Sequence, residues 1–246
     1  MTHTKKETIS IGWCDPGTVD GKFADAITGL IMHCNNKNIE ISSRLRSAGN
    51  QIGRQRQALF DQWADTGTSD WLLWIDSDIV ITPNSFDLVW DAADKLIRPV
   101  VSGTYFISKS GEQTLMEPYA ALFNQGENDF EMSIVHPLPE NKIIKVDYAG
   151  FGFLLMHRSV VNPLRKVTPD YSLFAEKENL GDKYISEDIT FFRNLKNANI
   201  PLYAHTGALV QHMKRFSLDI NYYNIYWHSI ASGIIVKDKT NEEKKI

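Results

Sequence analysis

The chain has 246 residues, of which 43% are hydrophobic and 23% are charged, and its formal net charge is -4. These values are typical of a globular protein in water and give no electrostatic basis for binding nucleic acid. No stretch has the composition of a linker. The sequence therefore predicts a single domain over residues 1–246, with a core at about 8–213 and a C-terminal extension at 214–246.

The cysteines and the N-terminal segment bear on location. The chain has two cysteines, Cys14 and Cys34, which lack the spacing of a metal site and the density of a disulfide framework. The N-terminal segment lacks the apolar run of a signal peptide, and no apolar run is long enough to span a bilayer. We therefore expect a cytoplasmic protein without a transmembrane segment.

The first strand and helix follow directly from the residue pattern. Residues 8–14 alternate polar and apolar side chains, which predicts a strand that ends at the turn-forming residues Asp15, Pro16 and Gly17. Residues 23–34 carry apolar side chains at helical spacing. The glycine patterns of dinucleotide-binding folds and of P-loops do not occur between the two elements, which argues against both kinds of nucleotide site.

A second helix is predicted over residues 50–63, with Ile52, Arg56, Leu59 and Trp63 on its inner face. An arginine on an apolar face either extends along its stem to water, the commoner outcome, or is held by an anion. The helix precedes the strand that carries the candidate phosphate site, so we expect Arg56 to bind an anion there. Arg54 falls on the opposite face and is expected to contact solvent.

The most informative stretch is the apolar run 71–75, which predicts a strand buried on both faces. It ends at Asp76-Ser77-Asp78. Residues two apart on an extended chain point the same way, so Asp76 and Asp78 can present oxygens to one point, at the edge where open α/β sheets bind ligands. A divalent ion such as Mg²⁺ or Mn²⁺ would relieve their repulsion and keep sites free for phosphate. A plain turn is the alternative.

The sequence predicts helices and strands in some of the following segments and irregular structure in others. A helix is expected from Thr82 through Leu96, then a strand at 99–106, whereas residues 107–142 are typical of an elaborated surface segment. Residues 146–156 form a strand with Gly150 and Gly152 at its start, where glycine allows either close approach of a ligand or a bulge. Residues 162–181 are irregular and are a candidate mobile lid.

The last part of the chain contains a helix that begins at Ser186, with Glu187 and Asp188 in its first turn, where capping alone explains both acids. Two short strands are expected at 200–205 and 208–212, and the second ends at His212. The aromatic residues of the tail are expected to pack in a core, although sugar stacking is an alternative.

In this order, the motifs resemble those of GT-A fold glycosyltransferases, close to the family 2 type. The resemblance covers residues 8–213 and rests on Arg56-Gln57, Asp76-Ser77-Asp78, Val101-Ser102-Gly103-Thr104-Tyr105, Gly150-Phe151-Gly152-Phe153, Glu187-Asp188 and His212. It departs from the family at Gln57, where asparagine is common, and the loop at Asp15-Pro16-Gly17 is not diagnostic.

The resemblance implies an α/β fold of the GT-A (Rossmann-like) type, with a mixed central sheet flanked by helices. It implies a nucleotide-diphosphate-sugar donor and a carbohydrate or other hydroxyl acceptor. Asp76 would lie near the ribose or sugar, and Asp78 and His212 would bind Mn²⁺ or Mg²⁺. The candidate base is Asp188, with Glu187 as the alternative. The candidate donor-binding residues are Asp15, Pro16, Gly17, Arg56, Asp76, Ser77, Gly150 and Gly152, and the candidate metal ligands are Asp76, Asp78 and His212.

These residue types suit sugar transfer. A divalent cation and an arginine stabilise a leaving diphosphate without proton transfer, and a carboxylate at a helix start accepts the acceptor's proton. Two other functions fit part of the pattern. A sugar-phosphate nucleotidyltransferase would need a basic glycine-rich loop after the first strand, which is missing here, and a non-catalytic nucleotide- or carbohydrate-binding protein would not need the acids.

Overall fold

The computed structural model describes residues 7–108, 118–127, 131–168, 172–178, 184–214 and 219–234. The strands are β1 (Thr8–Asp15), β2 (Glu40–Ala48), β3 (Trp71–Ile75), β4 (Ile79–Val80), β5 (Val100–Thr104), β6 (Phe106–Ser108), β7 (Pro118–Ala120), β8 (Leu122–Gln125), β9 (Met132–Ile134), β10 (Ile143–Val146), β11 (Tyr148–Ala149), β12 (Phe153–His157), β13 (Lys177–Glu178), β14 (Tyr184–Ile185), β15 (Leu202–Leu209) and β16 (Gln211–His212). The helices are α1 (Gly21–Asn36), α2 (Ile52–Asp61), α3 (Pro83–Ala92), α4 (Val161–Val167), α5 (Glu187–Asn197) and α6 (Ile220–Ala231). A π-helical turn, Gln62–Thr66, continues α2.

The chain divides into two compact units, Met1–Ile107 with Tyr119–Met213, and Ser108–Pro118 with Lys214–Ile246. The second unit contains α6, which begins at Asp219, whose side chain accepts the Tyr222 N–H. Tyr223 and Trp227 of α6 are exposed, so the expected core packing of the tail does not hold for these two side chains. The organisation of the chain as one domain stays a prediction.

A seven-stranded mixed sheet forms the centre of the first unit, in the order β10-β15-β5-β12-β3-β1-β2. The pairs β1–β2, β1–β3 and β5–β15 are parallel, whereas β12 is antiparallel to both β3 and β5. All five residues of β3 are buried, which confirms the strand predicted there. Because β1 and β3 run in parallel, Asp15 and Asp76 leave the sheet at the same edge.

Helices cover both faces of the sheet, and β3 shows this directly. Its Leu72 and Trp74 join one core cluster, with side chains of α2 and α5. Its Trp71, Leu73 and Ile75 join the other cluster, with side chains of α1 and α3. A strand between two apolar layers needs apolar residues at every position, since its side chains alternate between the faces. Within the described residues, none of these helices has the length and apolar character needed to cross a bilayer.

Several elements differ from expectation. The helix expected to reach Leu96 ends at Ala92, because the Asp94 carboxylate accepts the N–H groups of Leu96 and Ile97 and turns the chain. The two short strands expected at 200–205 and 208–212 have other bounds in the structure. Strand β15 spans Leu202–Leu209, and β16 spans only Gln211–His212. Strand β2 was not predicted.

Two segments for which the sequence predicted no helix or strand, 107–142 and 162–181, also contain regular structure. Within residues 107–142, β8 and β9 form a three-stranded antiparallel sheet with β11. The candidate lid, 162–181, overlaps α4, which buries Val161 and Leu164. Positions 169–171 and 179–181 of the candidate lid lie outside the described residues.

Arg158 holds the chain between α2 and β3 in place. Its guanidinium donates to the carbonyl oxygens of Trp63, Ala64, Gly67 and Ser69 at 2.7–3.1 Å. It also lies 4.7 Å from the centroid of the Trp63 ring. One side chain thus binds four carbonyl groups in and just after the π-helical turn.

We predict that Arg158→Met lowers the free energy of unfolding by about 2–4 kcal/mol, because it keeps the stem and removes the hydrogen bonds from a charged donor. Chemical denaturation followed by circular dichroism measures this change. Arg54→Met, at an exposed position of α2, serves as the control and should change stability by less than about 0.5 kcal/mol. Equal effects of the two substitutions would contradict this role of Arg158.

Candidate functional site

A cavity of about 330 Å³ opens where β1 and β3 end, and we call it the strand-end cavity. It brings together six of the predicted donor-binding and metal-binding residues with five others. Its lining consists of Cys14, Asp15, Pro16, Gly49, Asn50, Ile52, Gln55, Arg56, Asp76, Ser77 and Asp78. Gly17, Gly150, Gly152, Glu187, Asp188 and His212 are not part of this lining.

The loop after β1 is fixed by the Asp15 side chain, which has no exposed surface. Its carboxylate accepts two hydrogen bonds from Arg46, at 2.6 and 2.7 Å, and one each from Trp13 Nε1 and the Gly17 N–H. The hydrogen bond from Arg46 is the main cause of the lowered pKa of Asp15. In this arrangement Asp15 shapes the loop and has no face left for a ligand.

Pro16 and Gly17 form the exposed turn that Asp15 closes. Gly17 has a φ of 110°, a backbone conformation that favours glycine. Sequence reasoning missed Arg46, which lies on the unpredicted β2. An arginine near the C-terminal end of a strand that pairs with β1 would have been the sequence signal for this contact with Asp15.

Asp76 and Asp78 do not lie on one extended chain, which corrects the geometry expected from the sequence. The Ile79 N–H donates to the Asp76 carbonyl at 2.9 Å and closes a tight turn through Ser77 and Asp78. The alternative of a turn is therefore confirmed. As a result, the two carboxylates face different partners.

Asp76 pairs with Arg56, whose Nη2 lies 3.1 Å from each oxygen of the carboxylate. Nη1 of the same guanidinium donates to Glu187 Oε1 at 2.8 Å. The Arg56 side chain is only 5% exposed, and the Phe151 ring lies 4.4 Å from the guanidinium carbon. Arg56 thus joins the end of β3 to the start of α5, which are 111 residues apart in sequence.

The charges around Arg56 oppose the effect of its burial. Burial alone would lower the pKa of the guanidinium, but Asp76 and Glu187 outweigh this effect and raise the pKa above its usual value. Its Nε has no hydrogen-bond partner among the described residues. Two protein carboxylates thus pair with Arg56, whereas the sequence favoured an anion at the phosphate site.

Glu187 and Asp188 have different surroundings at the start of α5. Burial raises the pKa of Glu187, although the charge of Arg56 opposes the shift. Asp188 Oδ1 accepts from Ser186 Oγ and, at 2.7 Å, from the Ile189 N–H. These two donors are neutral. Ser186 is the N-cap by position, but its side chain does not cap the helix and donates to Asp188 instead.

His212 lies against Asp78 because β16 pairs with β4 in antiparallel register, with His212 opposite Ile79. His212 Nε2 is 3.0 Å from Asp78 Oδ2, and Nδ1 is 3.0 Å from the Phe106 carbonyl oxygen. Since a carbonyl can only accept, Nδ1 carries a proton. In a neutral ring, Nε2 would then direct a lone pair at a carboxylate. A hydrogen on Nε2, a hydrogen on the Asp78 carboxyl group, or a cation bound between the two groups would each satisfy this contact.

The two glycines lie beside Asp76, since the Gly152 carbonyl accepts the Asp76 N–H at 3.0 Å. Both glycines make room for Tyr105. A Cβ on Gly150 would stand 1.9 Å from the Tyr105 hydroxyl oxygen, and one on Gly152 would stand 3.1 Å from its ring. Sequence reasoning quoted Tyr105 within a motif but gave it no role.

Tyr105 connects the glycines to His212. Its hydroxyl oxygen accepts the Gly152 N–H at 3.3 Å, and its ring meets the His212 ring edge-on with centroids 5.1 Å apart. Burial is the main cause of the raised pKa of Tyr105, and the nearby charge of Asp76 adds to it. Tyr105 therefore stays neutral and helps to orient the imidazole.

Across the described part of the chain, no group of three or more His, Cys, Asp or Glu side chains is arranged to hold a metal ion. Asp78 and His212 are two ligands of types that Mn²⁺ accepts, and they lie 3.0 Å apart. Asp76 is already paired with Arg56. The donor set therefore fits a divalent ion at Asp78 and His212 better than one at Asp76.

The sequence matches no protein-family model and no curated protein. Solved structures match by fold. GalNAc-T7, solved with UDP, GalNAc and Mn²⁺, matches with a TM-score of 0.53 and 10% identity, over 87% of this chain and 45% of that chain. A glycosyltransferase involved in glycosylation of the major capsid of PBCV-1 matches with a TM-score of 0.46 and 14% identity, over 85% of this chain and 94% of that chain.

A third similar structure is CMP:2-keto-3-deoxy-manno-octonic acid synthetase complexed with CTP, with a TM-score of 0.43 and 11% identity, over 93% of this chain and all of that chain. At such identities, similarity concerns the fold alone. The mixed seven-stranded sheet with helices on both faces and the match to GalNAc-T7 confirm the predicted fold class. The chain has the GT-A nucleotide-sugar transferase fold.

The ion pair of Asp15 with Arg46, which fixes the loop after β1, predicts a stability that depends on pH. Asp15→Asn should lower the free energy of unfolding by about 1–3 kcal/mol at pH 7, because the hydrogen bonds from Arg46 lose their charged acceptor. The pKa of Asp15 is lowered in the fold, so its contribution is present above the unfolded pKa and is lost as the pH falls through the folded pKa. Urea unfolding at pH 7 and pH 3 should show a smaller deficit at pH 3. A deficit that does not change with pH would contradict the ion pair.

Proposed function

We propose that this protein is a metal-dependent glycosyltransferase, of the family 2 type, that moves a sugar from a nucleotide-diphosphate-sugar donor to an acceptor hydroxyl. The observation that carries the proposal is the 3.0 Å contact of Asp78 Oδ2 with His212 Nε2 beyond the end of β3, which brings together two types of side chain that bind Mn²⁺. The contact adjoins a cavity that is open at the carboxyl ends of β1 and β3, where α/β sheets bind ligands.

Each acid has a separate role in this proposal. Asp78 and His212 would hold Mn²⁺ or Mg²⁺, and the bound ion would supply positive charge to the leaving diphosphate. Asp76 lies beside this position with its charge balanced by Arg56, which suits a hydroxyl of the ribose or sugar. Arg56 is enclosed by Asp76, Glu187 and Phe151, so we assign it to positioning those acids and not to contact with the diphosphate.

In the transfer, the acceptor oxygen forms a bond to the anomeric carbon as the bond from that carbon to the diphosphate oxygen breaks. The diphosphate leaves with the electron pair, and the acceptor's proton passes to a carboxylate. We assign that proton to Asp188. Glu187 is already bound to the buried Arg56 guanidinium, whereas Asp188 accepts hydrogen bonds from neutral donors. Attack from the face opposite the diphosphate would invert the anomeric carbon.

The metal assignment predicts that Asp78→Ala and His212→Ala each weaken Mn²⁺-dependent binding of UDP or GDP by at least about 10–100-fold, since even outer-shell changes at metal sites have effects of that size. Calorimetric titration with and without Mn²⁺ measures the change. Nucleotide binding without metal should hardly change. Asp91→Ala and His228→Ala, at exposed positions, are the matched controls. An unchanged Mn²⁺ midpoint in both active-site variants would refute the assignment.

The base assignment predicts that Asp188→Asn lowers turnover by about 10²–10⁴-fold while nucleotide affinity stays within about twofold of wild type. Release of nucleoside diphosphate from a panel of nucleotide sugars with Mn²⁺ measures turnover even when water is the acceptor. Glu187→Gln keeps an acceptor for Arg56 and should reduce turnover less. A larger loss in Glu187→Gln than in Asp188→Asn would reverse the assignment.

The same panel separates the alternatives. A nucleotidyltransferase would instead form a nucleotide sugar and pyrophosphate from a nucleoside triphosphate and a sugar phosphate. A binding protein would retain the nucleotide sugar without releasing the diphosphate.

A further inference from the structure

A second cavity, of about 500 Å³, lies beside the strand-end cavity, and we call it the side cleft. One wall is the start of α2 and the residues before it, and the other is the segment 172–176. Six polar side chains line it: Asn50, Gln51, Arg54, Gln57, Ser172 and Glu176. The two cavities share Asn50 and Ile52 in their linings, so a molecule in the side cleft would adjoin one in the strand-end cavity.

The walls of the side cleft are fixed against each other. The Leu173 N–H donates to Gln57 Oε1 at 2.9 Å, and the Leu173 carbonyl accepts from Asn194 Nδ2 at 3.2 Å. A Cβ on Gly53 would stand 2.6 Å from the Phe174 carbonyl oxygen, so only glycine lets the segment approach α2 this closely. The cleft is therefore formed before any ligand arrives.

The side cleft also lies next to the start of α5. A Cβ on Gly53 would stand 3.4 Å from the Glu187 Cβ, which places the first turn of α5 directly behind the first turn of α2. Asp188, the proposed base, is the next residue of that turn. The start of α5 therefore packs against the helix that forms one wall of the cleft.

The chemistry of the lining indicates the kind of ligand. Amide and hydroxyl side chains both donate and accept hydrogen bonds, as the hydroxyl groups of a saccharide require. The charges of Arg54 and Glu176 cancel, so the cleft has no net charge to attract a polyanion. Ile52 and Ala175 are partly exposed and offer apolar surface to the C–H groups of a sugar ring.

We propose that the side cleft is the acceptor site and that it binds a neutral saccharide. The acceptor role rests on the proposed transferase function. Saccharide binding in the cleft does not, and the two are therefore tested by separate measurements.

The experiment blocks the cleft chemically. The chain has two cysteines, Cys14 and Cys34, and both are buried. In Arg54→Cys the introduced thiol is thus the accessible one, and a bulky maleimide attached to it would fill the cleft mouth. Asp91→Cys, at an exposed position on α3, carries the same label as the matched control.

Binding of maltose, cellobiose, lactose, chitobiose and xylobiose is measured by saturation-transfer NMR with Mn²⁺ replaced by Mg²⁺ and with UDP present. We expect at least one disaccharide to bind the wild type and the labelled control, and its affinity to fall by more than about tenfold in labelled Arg54→Cys. UDP affinity should stay the same in all three proteins.

Undiminished disaccharide binding in labelled Arg54→Cys would overturn the proposal, and so would a wild type that binds none of the five. Failure of the transferase function has a different signature, which is the lack of metal-dependent nucleotide binding by the wild type. If that occurs while labelling still blocks a bound disaccharide, the cleft remains a saccharide site and only its acceptor role is lost.

Discussion

The arrangement of the site depends on one buried cation, the guanidinium of Arg56. An ionised group with 5% of its side chain exposed is costly to bury unless its charge is matched. Here Asp76 and Glu187 match it, and the Phe151 ring covers it. Removal of Arg56 would leave two acids facing each other without a cation. This side chain therefore holds three parts of the site in their relative positions: the end of β3, the turn at residues 150–152 and the start of α5.

Five carboxylates of the first unit occupy four kinds of environment. Asp15 is saturated by Arg46 and shapes the loop after β1. Asp76 and Glu187 balance Arg56, and Asp78 meets His212. Asp188 accepts from neutral groups at the start of α5. The neighbours of each carboxylate are thus the basis of the separate structural, metal-binding and proton-accepting roles that we propose for these groups.

The sequence was sufficient where the signal was local and strong. The apolar run 71–75 could only be a strand between two layers, and His212 could be placed at a strand end. Strand β2 was missed because it is the edge strand of the sheet, and its exposed Arg44 and Arg46 give it little apolar pattern. The sequence could also not predict which groups enclose Arg56. Phe151 and Glu187 are distant from it in sequence, and the apolar stripe of α2 shows only that an arginine faces inward.

The most direct test of this account is a crystal structure of the wild type with Mn²⁺ and UDP, with the metal located by its anomalous scattering. The account predicts an anomalous peak in contact with Asp78 and His212, with Arg56 still paired with Asp76 and Glu187. A structure in which Arg56 has moved onto the diphosphate, and in which no metal contacts Asp78 and His212, would contradict it.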